Sequence, residues 1–290
     1  MCAKPRFRRL RRVSGDISRR GLLGGLLGNV VRPEVDYDGV TERIRAGWDA
    51  CAPHEPLMRA IEPIAAIVAE AAEAGPGVRV LDVGAGTGNV ALACTAAGAD
   101  VDACDLSPRM VMAGIERTGE AVRWSQGDAA MLPYDDGAFD AVVSAFGAAM
   151  APRARRTAGE LARVLRPGGR LALAAWAPTT LPGALDPLRA EVDPLPEGVR
   201  LPSDWGRSEI AHERLSPHFD ALEMRLHTAL LRFDSPLDCW QALVRPLRLM
   251  GPRRGALRAR FDALLEEQNG APPAVELAAR YLLVLGVRAE

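Results

Sequence analysis

Two carboxylates bracket a glycine-rich turn. Asp82 stands two residues before Gly84, and Asp105 ends the segment Val78 to Asp105, with further glycines at Gly86 and Gly88. Glycine has no Cβ, so such a turn can take positive φ and bring backbone N–H groups close to a ligand. An acid about 20 positions beyond the first glycine has the spacing at which a carboxylate meets ribose hydroxyls. The pattern suits a nucleoside-like ligand at the carboxyl end of a parallel sheet. A dinucleotide fingerprint, G-x-G-x-x-G, would require glycine where this chain has Asn89. Asp82 would also repel a pyrophosphate and suit a ligand that carries an ammonium group. These residue types therefore favour S-adenosylmethionine (SAM) over NAD.

The elements that must position these residues can be read from the pattern around them. Val78 to Val83 has the apolar character of a strand buried on both faces, broken by Arg79 and Asp82. A small-residue helix, Val90 to Ala97, and a second strand, Val101 to Cys104, lead to Asp105. Ser107-Pro108 is an N-cap and first-turn pair for a helix running to about Thr118. Val122 to Trp124 reads as the third strand, Phe139 to Ser144 as the fourth and Leu171 to Trp176 as the fifth. A helix, Arg153 to Arg166, and a turn, Pro167-Gly168-Gly169, separate the last two. Upstream, Leu57, Ile61, Ile64, Ile67 and Val68 give Pro56 to Ala74 a helical apolar face, stopped by Gly75-Pro76-Gly77. Downstream, Pro178 to Pro202 reads as a proline-rich loop or insertion. A helix starting near Trp205, a strand Leu222 to Phe233, helices Leu237 to Met250 and Ala256 to Gln268, and a last strand Tyr281 to Val287 follow.

LDVGAGTGNVAL resembles motif I of the class I SAM-dependent methyltransferases. The likeness continues through DLSPRMV (Asp105 to Val111), GDAAMLPYDDGAFDAVVSAFG (Gly127 to Gly147) and ELARVLRPGGRLALAAW (Glu160 to Trp176). VSAFGAAMAP, RPGGRLALAAW, Asp204-Trp205-Gly206 and the closing YLLVLGV together resemble the ubiquinone/menaquinone-methylase-like (type 11/25) small-molecule methyltransferases. The resemblance implies an α/β fold: a Rossmann-like, seven-stranded, mostly parallel sheet with the last strand antiparallel, flanked by helices, with a helical substrate-lid insertion. It divides the chain into a basic arm (1–33), an N-terminal helical lid and first core helix (34–77), a SAM-binding core (78–180) and substrate-roof helices with the final strands (181–290).

The same resemblance implies SAM contacts at Trp48, Asp82, Gly84, Ala85, Gly86, Gly88, Asp105, Leu106, Met110, Gly127, Asp128, Ala129, Ser144 and Phe146. Asp128 would accept from the adenine amino group and the Ala129 N–H would donate to a ring nitrogen. Leu106 and Met110 would flank the adenine, and Trp48 would close over the methionine end with His54 and Glu55 at its border. The alternative for Trp48 and Met110 is packing in a helix core, and for Asp128 a role in its turn. The segment Ser144 to Gly147 is where methyl and acceptor would meet. It lacks an Asn-Pro-Pro-Tyr-like motif, which counts against exocyclic-amine acceptors.

A sulfonium methyl is already activated, so approximation and orientation can supply most of the catalysis, at best about 7–11 kcal/mol. A base is required only for a poorly acidic hydroxyl or carbon acid. By residue type the candidates are His54, Tyr134 and His212, with His218 and His227 behind them. No Cys/His cluster suggests a metal site. The expected reaction is SAM-dependent O- or C-methylation of a small, largely apolar metabolite. The rival reading is a SAM-binding protein that does not methylate, acting as cyclase or scaffold, and RNA methylation is a third.

Composition bounds these readings. The 290 residues are 48% hydrophobic, enough for a full core. A net charge of -1 gives no global field toward nucleic acid or membrane, and no apolar run is long enough to span a bilayer. Lys4 is the one lysine, arginine replacing it elsewhere, a bias of GC-rich bacterial genomes. The five cysteines show no C-x-x-C pair and read as reduced thiols of a cytoplasmic protein, monomer or homodimer. The arm carries Lys4 and seven arginines up to Arg20 against Asp16. It reads as a disordered arm, as an anion-binding arm, or, through Ser18-Arg19-Arg20-Gly21-Leu22-Leu23, as a twin-arginine-like export signal.

Overall fold

The computed structural model describes residues 35–245, 251–268 and 274–290. The readings of the basic arm, and the end of the helix expected to reach Met250, fall outside the described residues. The apolar run before the glycine turn forms strand β1 (Arg79–Val83). It pairs in parallel with β2 (Asp100–Asp105) on one side and β4 (Phe139–Ala145) on the other, so that Val80 stands beside both Val101 and Ala141. β3 (Arg123–Gln126) lies outside β2, and β5 (Leu165–Trp176) lies outside β4, both again parallel. With β6 (Phe219–Phe233) and β7 (Val275–Arg288) they make one seven-stranded sheet in the order β3-β2-β1-β4-β5-β7-β6. The last strand, β7, runs antiparallel to both of its neighbours.

Successive side chains of a strand point to opposite faces, and here both faces are covered. Val80 faces a cluster with Ile64 and Val68 of α2 (Glu55–Ala71) and Val90 of α3 (Asn89–Ala96). Leu81 faces the other cluster, with Leu161 of α5 (Ala154–Val164) and Leu215 of α7 (Ser208–Leu215). Both strand residues are fully buried, each worth about 1.5–3 kcal/mol relative to exposure. After β3 the chain crosses β1 to reach β4, so the strand order reverses there and a crevice opens at the carboxyl ends of β1 and β4.

Two expectations need correction. Pro167-Gly168-Gly169 is not a turn preceding a strand but a bulge within β5. The pairing jumps from Phe139 opposite Leu165 to Ala141 opposite Arg170, and Gly168 takes φ +72° inside the bulge. The stretch Pro178 to Pro202 contains a helix, α6 (Leu181–Val192), despite Pro182 in its first turn and Pro187 in its interior. Leu181, Leu185, Leu188 and Val192 recur at helical spacing and pack into the first core cluster, which outweighs the local proline signal. α6 lies against α9 (Gly251–Gln268), and the Leu181 N–H donates to Gln268 Oε1 at 2.9 Å.

Candidate active site

The glycine turn is built as its residue types require. Gly84, Gly86 and Gly88 take φ of +66°, +58° and +88°. The N–H groups of Gly84 and Ala85 both donate to the Cys104 carbonyl, at 2.8 and 3.1 Å. Asp105 then clamps the turn from the next strand. Its Oδ2 accepts from the Gly86 N–H at 2.8 Å and its Oδ1 from the Ser107 N–H at 2.9 Å. Burial pushes the Asp105 carboxyl up to about 6, against the pull of those two N–H bonds, and the nearby Asp49 charge pushes the same way.

A cavity lies over this turn. Its floor is Gly84, Gly86, Asp105, Leu106, Gly127, Asp128, Ala129 and Phe146, with Met110 from α4 (Pro108–Thr118). Its roof is the face of α1 (Tyr37–Cys51) bearing Thr41, Ile44 and Trp48, together with Leu57, Met58 and Ile61 of α2. Asp105 and Asp128 are the charged residues of this wall, and among the described residues no arginine, lysine or histidine lines it. Asp128 Oδ1 accepts from the Ala130 N–H at 2.8 Å, so its turn role and its place in the wall coexist. The Thr41 hydroxyl is buried without a hydrogen-bond partner among the described residues. Phe146 takes φ +70°, a conformation costly for a bulky side chain, and its ring stacks on Trp176 with centroids 3.7 Å apart.

Four residues expected to touch the ligand stand behind this wall. Asp82 is 1% exposed, and its Oδ2 accepts from the Ala91 N–H at 2.9 Å while Oδ1 has no partner among the described residues. It fastens the start of α3 under the turn, so its placement does not offer an ion pair to a ligand ammonium. Ala85 is buried in the first core cluster. Gly88 is the N-cap of α3, and a Cβ there would come within 3.0 Å of the Trp124 ring. The Ser144 hydroxyl donates to the Val83 carbonyl at 2.6 Å and accepts from the Ala148 N–H at 3.0 Å, and the residue is fully buried.

The Asp82 carboxyl has a testable consequence. Burial pushes it up to about 7, so the folded chain holds a proton that the unfolded chain releases near pH 4. The stability this contributes is full below about pH 4 and is lost as pH rises through about 7. Thermal unfolding between about pH 5.5 and pH 8 should show wild type losing more stability than Asp82→Asn, in which the group does not titrate. Equal pH profiles would contradict this assignment.

The roof is held by contacts that the sequence patterns did not show. Asp49 of α1 accepts from the Ser107 hydroxyl at 2.5 Å, and its other oxygen pairs with Arg45. Ser107 is also the N-cap of α4, accepting from the Met110 N–H at 3.1 Å. Asn89, at the position where a dinucleotide fingerprint has glycine, donates to the Met58 carbonyl at 2.7 Å and accepts from Arg117 at 2.6 Å, tying α2 to the turn. Asp49→Ala should therefore loosen the roof by about 1.5 kcal/mol, roughly a tenfold faster release of S-adenosylhomocysteine in stopped-flow displacement. An unchanged release rate would show that the contact does not hold the roof.

The methyltransferase-domain family model matches residues 81–173. The uncharacterized protein Rv1403c of Mycobacterium tuberculosis is 35% identical over 184 residues, covering 62% of this chain and 67% of that protein. The demethylmenaquinone methyltransferase of Beutenbergia cavernae is 37% identical over 163 residues, covering 50% of this chain and 68% of its own length. The chain belongs to the class I SAM methyltransferase family, of the ubiquinone/menaquinone-methylase type. The fold agrees: the crystal structure of YcgJ from Bacillus subtilis superimposes with a TM-score of 0.54 at 23% identity, covering 78% of this chain and 98% of that one.

In this methyltransferase the three basic candidates lie away from the cavity. His54 is 4% exposed, its Nε2–H donates to the Ala242 carbonyl at 2.6 Å, and burial lowers its pKa. It joins α2 to α8 (Pro236–Val244) behind Trp48, whose ring it meets edge-on at 5.8 Å. Tyr134 packs edge-on against Phe139 at 5.1 Å, and burial pushes its phenol up to about 12. His212 is exposed on α7. A second cavity shares Trp48, Leu57, Phe146, Met150 and Trp176 with the first. Its far side is Pro182, Leu185 and Asp186 of α6, Pro202 and Ser203, and Ala242 and Leu243 of α8. Of the segment 181–290 expected to carry the roof, α6 and α8 line this second cavity, while α9 packs against α6.

Proposed function

We propose that the chain transfers a methyl group from SAM to a small, largely apolar acceptor at an oxygen or carbon atom. The observation that carries this reading is the wall over the glycine turn, which bears two carboxylates and, among the described residues, no cation. Such a wall attracts a sulfonium and repels a pyrophosphate. Asp105 would hold the ribose hydroxyls with the lone pairs left free by its two N–H bonds. Asp128 Oδ2 and the Ala129 N–H would meet the adenine edge, between Leu106 and Met110. The unpartnered Thr41 hydroxyl of the roof supplies a polar atom for the amino-acid end. When bound, SAM supplies an activated methyl for in-line displacement by the acceptor. The residues of the chain align the two reactants, exclude water beneath Trp48 and Phe146, and present an apolar second cavity to the acceptor. Among the described residues the buried thiols Cys51, Cys94, Cys104 and Cys239 are unpaired, which supports a reducing, cytoplasmic setting.

The test is mass spectrometry of small hydroxylated and carbon-acid acceptors incubated with the full chain and methyl-labelled SAM. The reading expects a gain of one labelled methyl with matching release of S-adenosylhomocysteine. An acceptor consumed while bound SAM stays intact would contradict it.

A further inference from the structure

We infer that the outer edge of β6 pairs with the same edge of a second copy of the chain, antiparallel and centred on Leu226. Among the described residues β6 is the outermost strand on its side of the sheet, and it runs for 15 residues with no proline or lysine. Alternate residues of such an edge turn their N–H and C=O groups outward without a strand partner. Chains that stay monomeric blunt long edges with prolines, lysines, bulges or a covering element. Here the pairing shifts only between Phe219 and Ala221, at the very start of the strand, and leaves the rest of the edge regular.

The side chains along the strand point to the kind of partner. Leu222 and Met224 pack against the second core cluster. Leu226, Thr228 and Leu230 continue the same face beyond it, and the two leucines are 50% and 42% exposed. Ala278, beside Leu230 on β7, is exposed as well. The other face of this end of the hairpin is closed. Leu231 and Phe233 are buried in the first cluster, and the His227 ring stacks on Tyr281 with centroids 5.4 Å apart. One apolar stripe and one open edge therefore run together along β6.

That stripe is its own complement. Read along one face it is Leu222, Met224, Leu226, Thr228, Leu230, and an antiparallel copy centred on Leu226 sets leucine against leucine at all three leucine positions. Met224 then meets Thr228 of the second copy, and Arg232 stands at the level of its Asp220, so the ends of the stripe carry opposite charges. On the other face Arg225 stands at the level of the second His227, its own charge already engaged by Glu223 at 2.6 Å. An antiparallel ladder can shift only in steps that keep outward groups opposite outward groups. Centring it on Met224 would carry Leu230 past the partner strand's start, and centring it on Thr228 would set Met224 against Arg232. A two-fold contact of this kind is closed, so it makes a dimer and not a filament. The crevice at the carboxyl ends of β1 and β4 lies inward of β5 and β7 and stays open in each copy.

The test is analytical ultracentrifugation of the full chain at micromolar concentration, which should show a dimer. Leu226→Arg removes two leucines from the axis and sets like charges opposite each other, so association should weaken by at least about tenfold. Register is read by cross-linking in a Cys2→Ser background, where the remaining cysteines are buried. A short bifunctional thiol reagent should join Leu226→Cys to its counterpart, because opposite Cβ atoms stand about 5 Å apart. It should not join Leu230→Cys, which faces Leu222 of the second copy, roughly 27 Å along the strand from the second Leu230. A wild-type monomer, a dimer indifferent to Leu226→Arg, or cross-linking at Leu230→Cys as strong as at Leu226→Cys would each overturn the inference. The wild-type mass needs no variant, and Leu226 is half exposed, so misfolding cannot stand in for a lost contact.

Discussion

Asp105→Ala is expected to weaken S-adenosylhomocysteine binding by about 10²–10⁴-fold, from roughly 1.5–3 kcal/mol of lost ribose bonds plus about 1–3 kcal/mol from the N–H groups it abandons. The second part comes from the fold. Both carboxylate oxygens already accept from backbone, Oδ2 from Gly86 and Oδ1 from Ser107. The turn and the start of α4 therefore lose their common anchor together with the ligand. Asp105→Asn should be nearly as harmful, because its NH₂ group must face one of two N–H donors. Calorimetry on the two variants and wild type checks this. Affinity unchanged in Asp105→Ala would remove the residue from the site, and an Asn variant close to wild type would show that the backbone clamp matters little.

Gly84→Ala is expected to lower stability by about 2–4 kcal/mol, combining overpacking of about 1–3 kcal/mol with roughly 1 kcal/mol for a left-handed alanine. A Cβ at Gly84 would stand 2.6 Å from both the Cα and carbonyl carbon of Gly147 and 3.0 Å from the Ala148 nitrogen, all backbone atoms. They cannot swing aside as a side chain can. A fall in Tm of about 10 °C follows for a chain of this size. Gly86 differs, because its Cβ would meet only the Met58 sulfur at 3.1 Å and the end of that flexible chain. A substitution there should spare stability more than it spares ligand binding. Gly255 of α9 faces open space, so Gly255→Ala should raise stability by up to about 1 kcal/mol. Thermal unfolding of the three variants should rank them in that order, and a Gly84→Ala protein as stable as wild type would contradict the close approach of the two loops.

Much of this was legible in the sequence, for a physical reason. Val80, Leu81, Val142 and Val143 are strand-forming residues buried to the last few per cent, and an apolar run bounded by glycine and acid has few other uses. The alternation of Leu222 to Phe233 likewise marks a strand with one wet face, β6. The floor of the cavity could be read because a strand end and the turn after it bring Gly84, Asp105, Asp128 and Phe146 to one edge of the sheet. Contacts across long sequence separations were not legible. Nothing local says that Asp49 meets Ser107, or that His54 spends its Nε2–H on the Ala242 carbonyl. Nor does residue type say that the register of Asp82 in β1 turns it beneath α3. α6 was hidden in a stretch whose prolines read as loop, and the burial of Leu181 and Leu185 that makes it a helix depends on tertiary packing.

The central claim is that a sulfonium nucleoside, and not a pyridine dinucleotide, binds over the carboxyl ends of β1 and β2. Calorimetric titration of the full chain with S-adenosylhomocysteine and, separately, with NAD⁺ tests it most directly. S-adenosylhomocysteine should bind saturably, one to one, and NAD⁺ should give no measurable heat. Tight uptake of NAD⁺ with indifference to S-adenosylhomocysteine would contradict it.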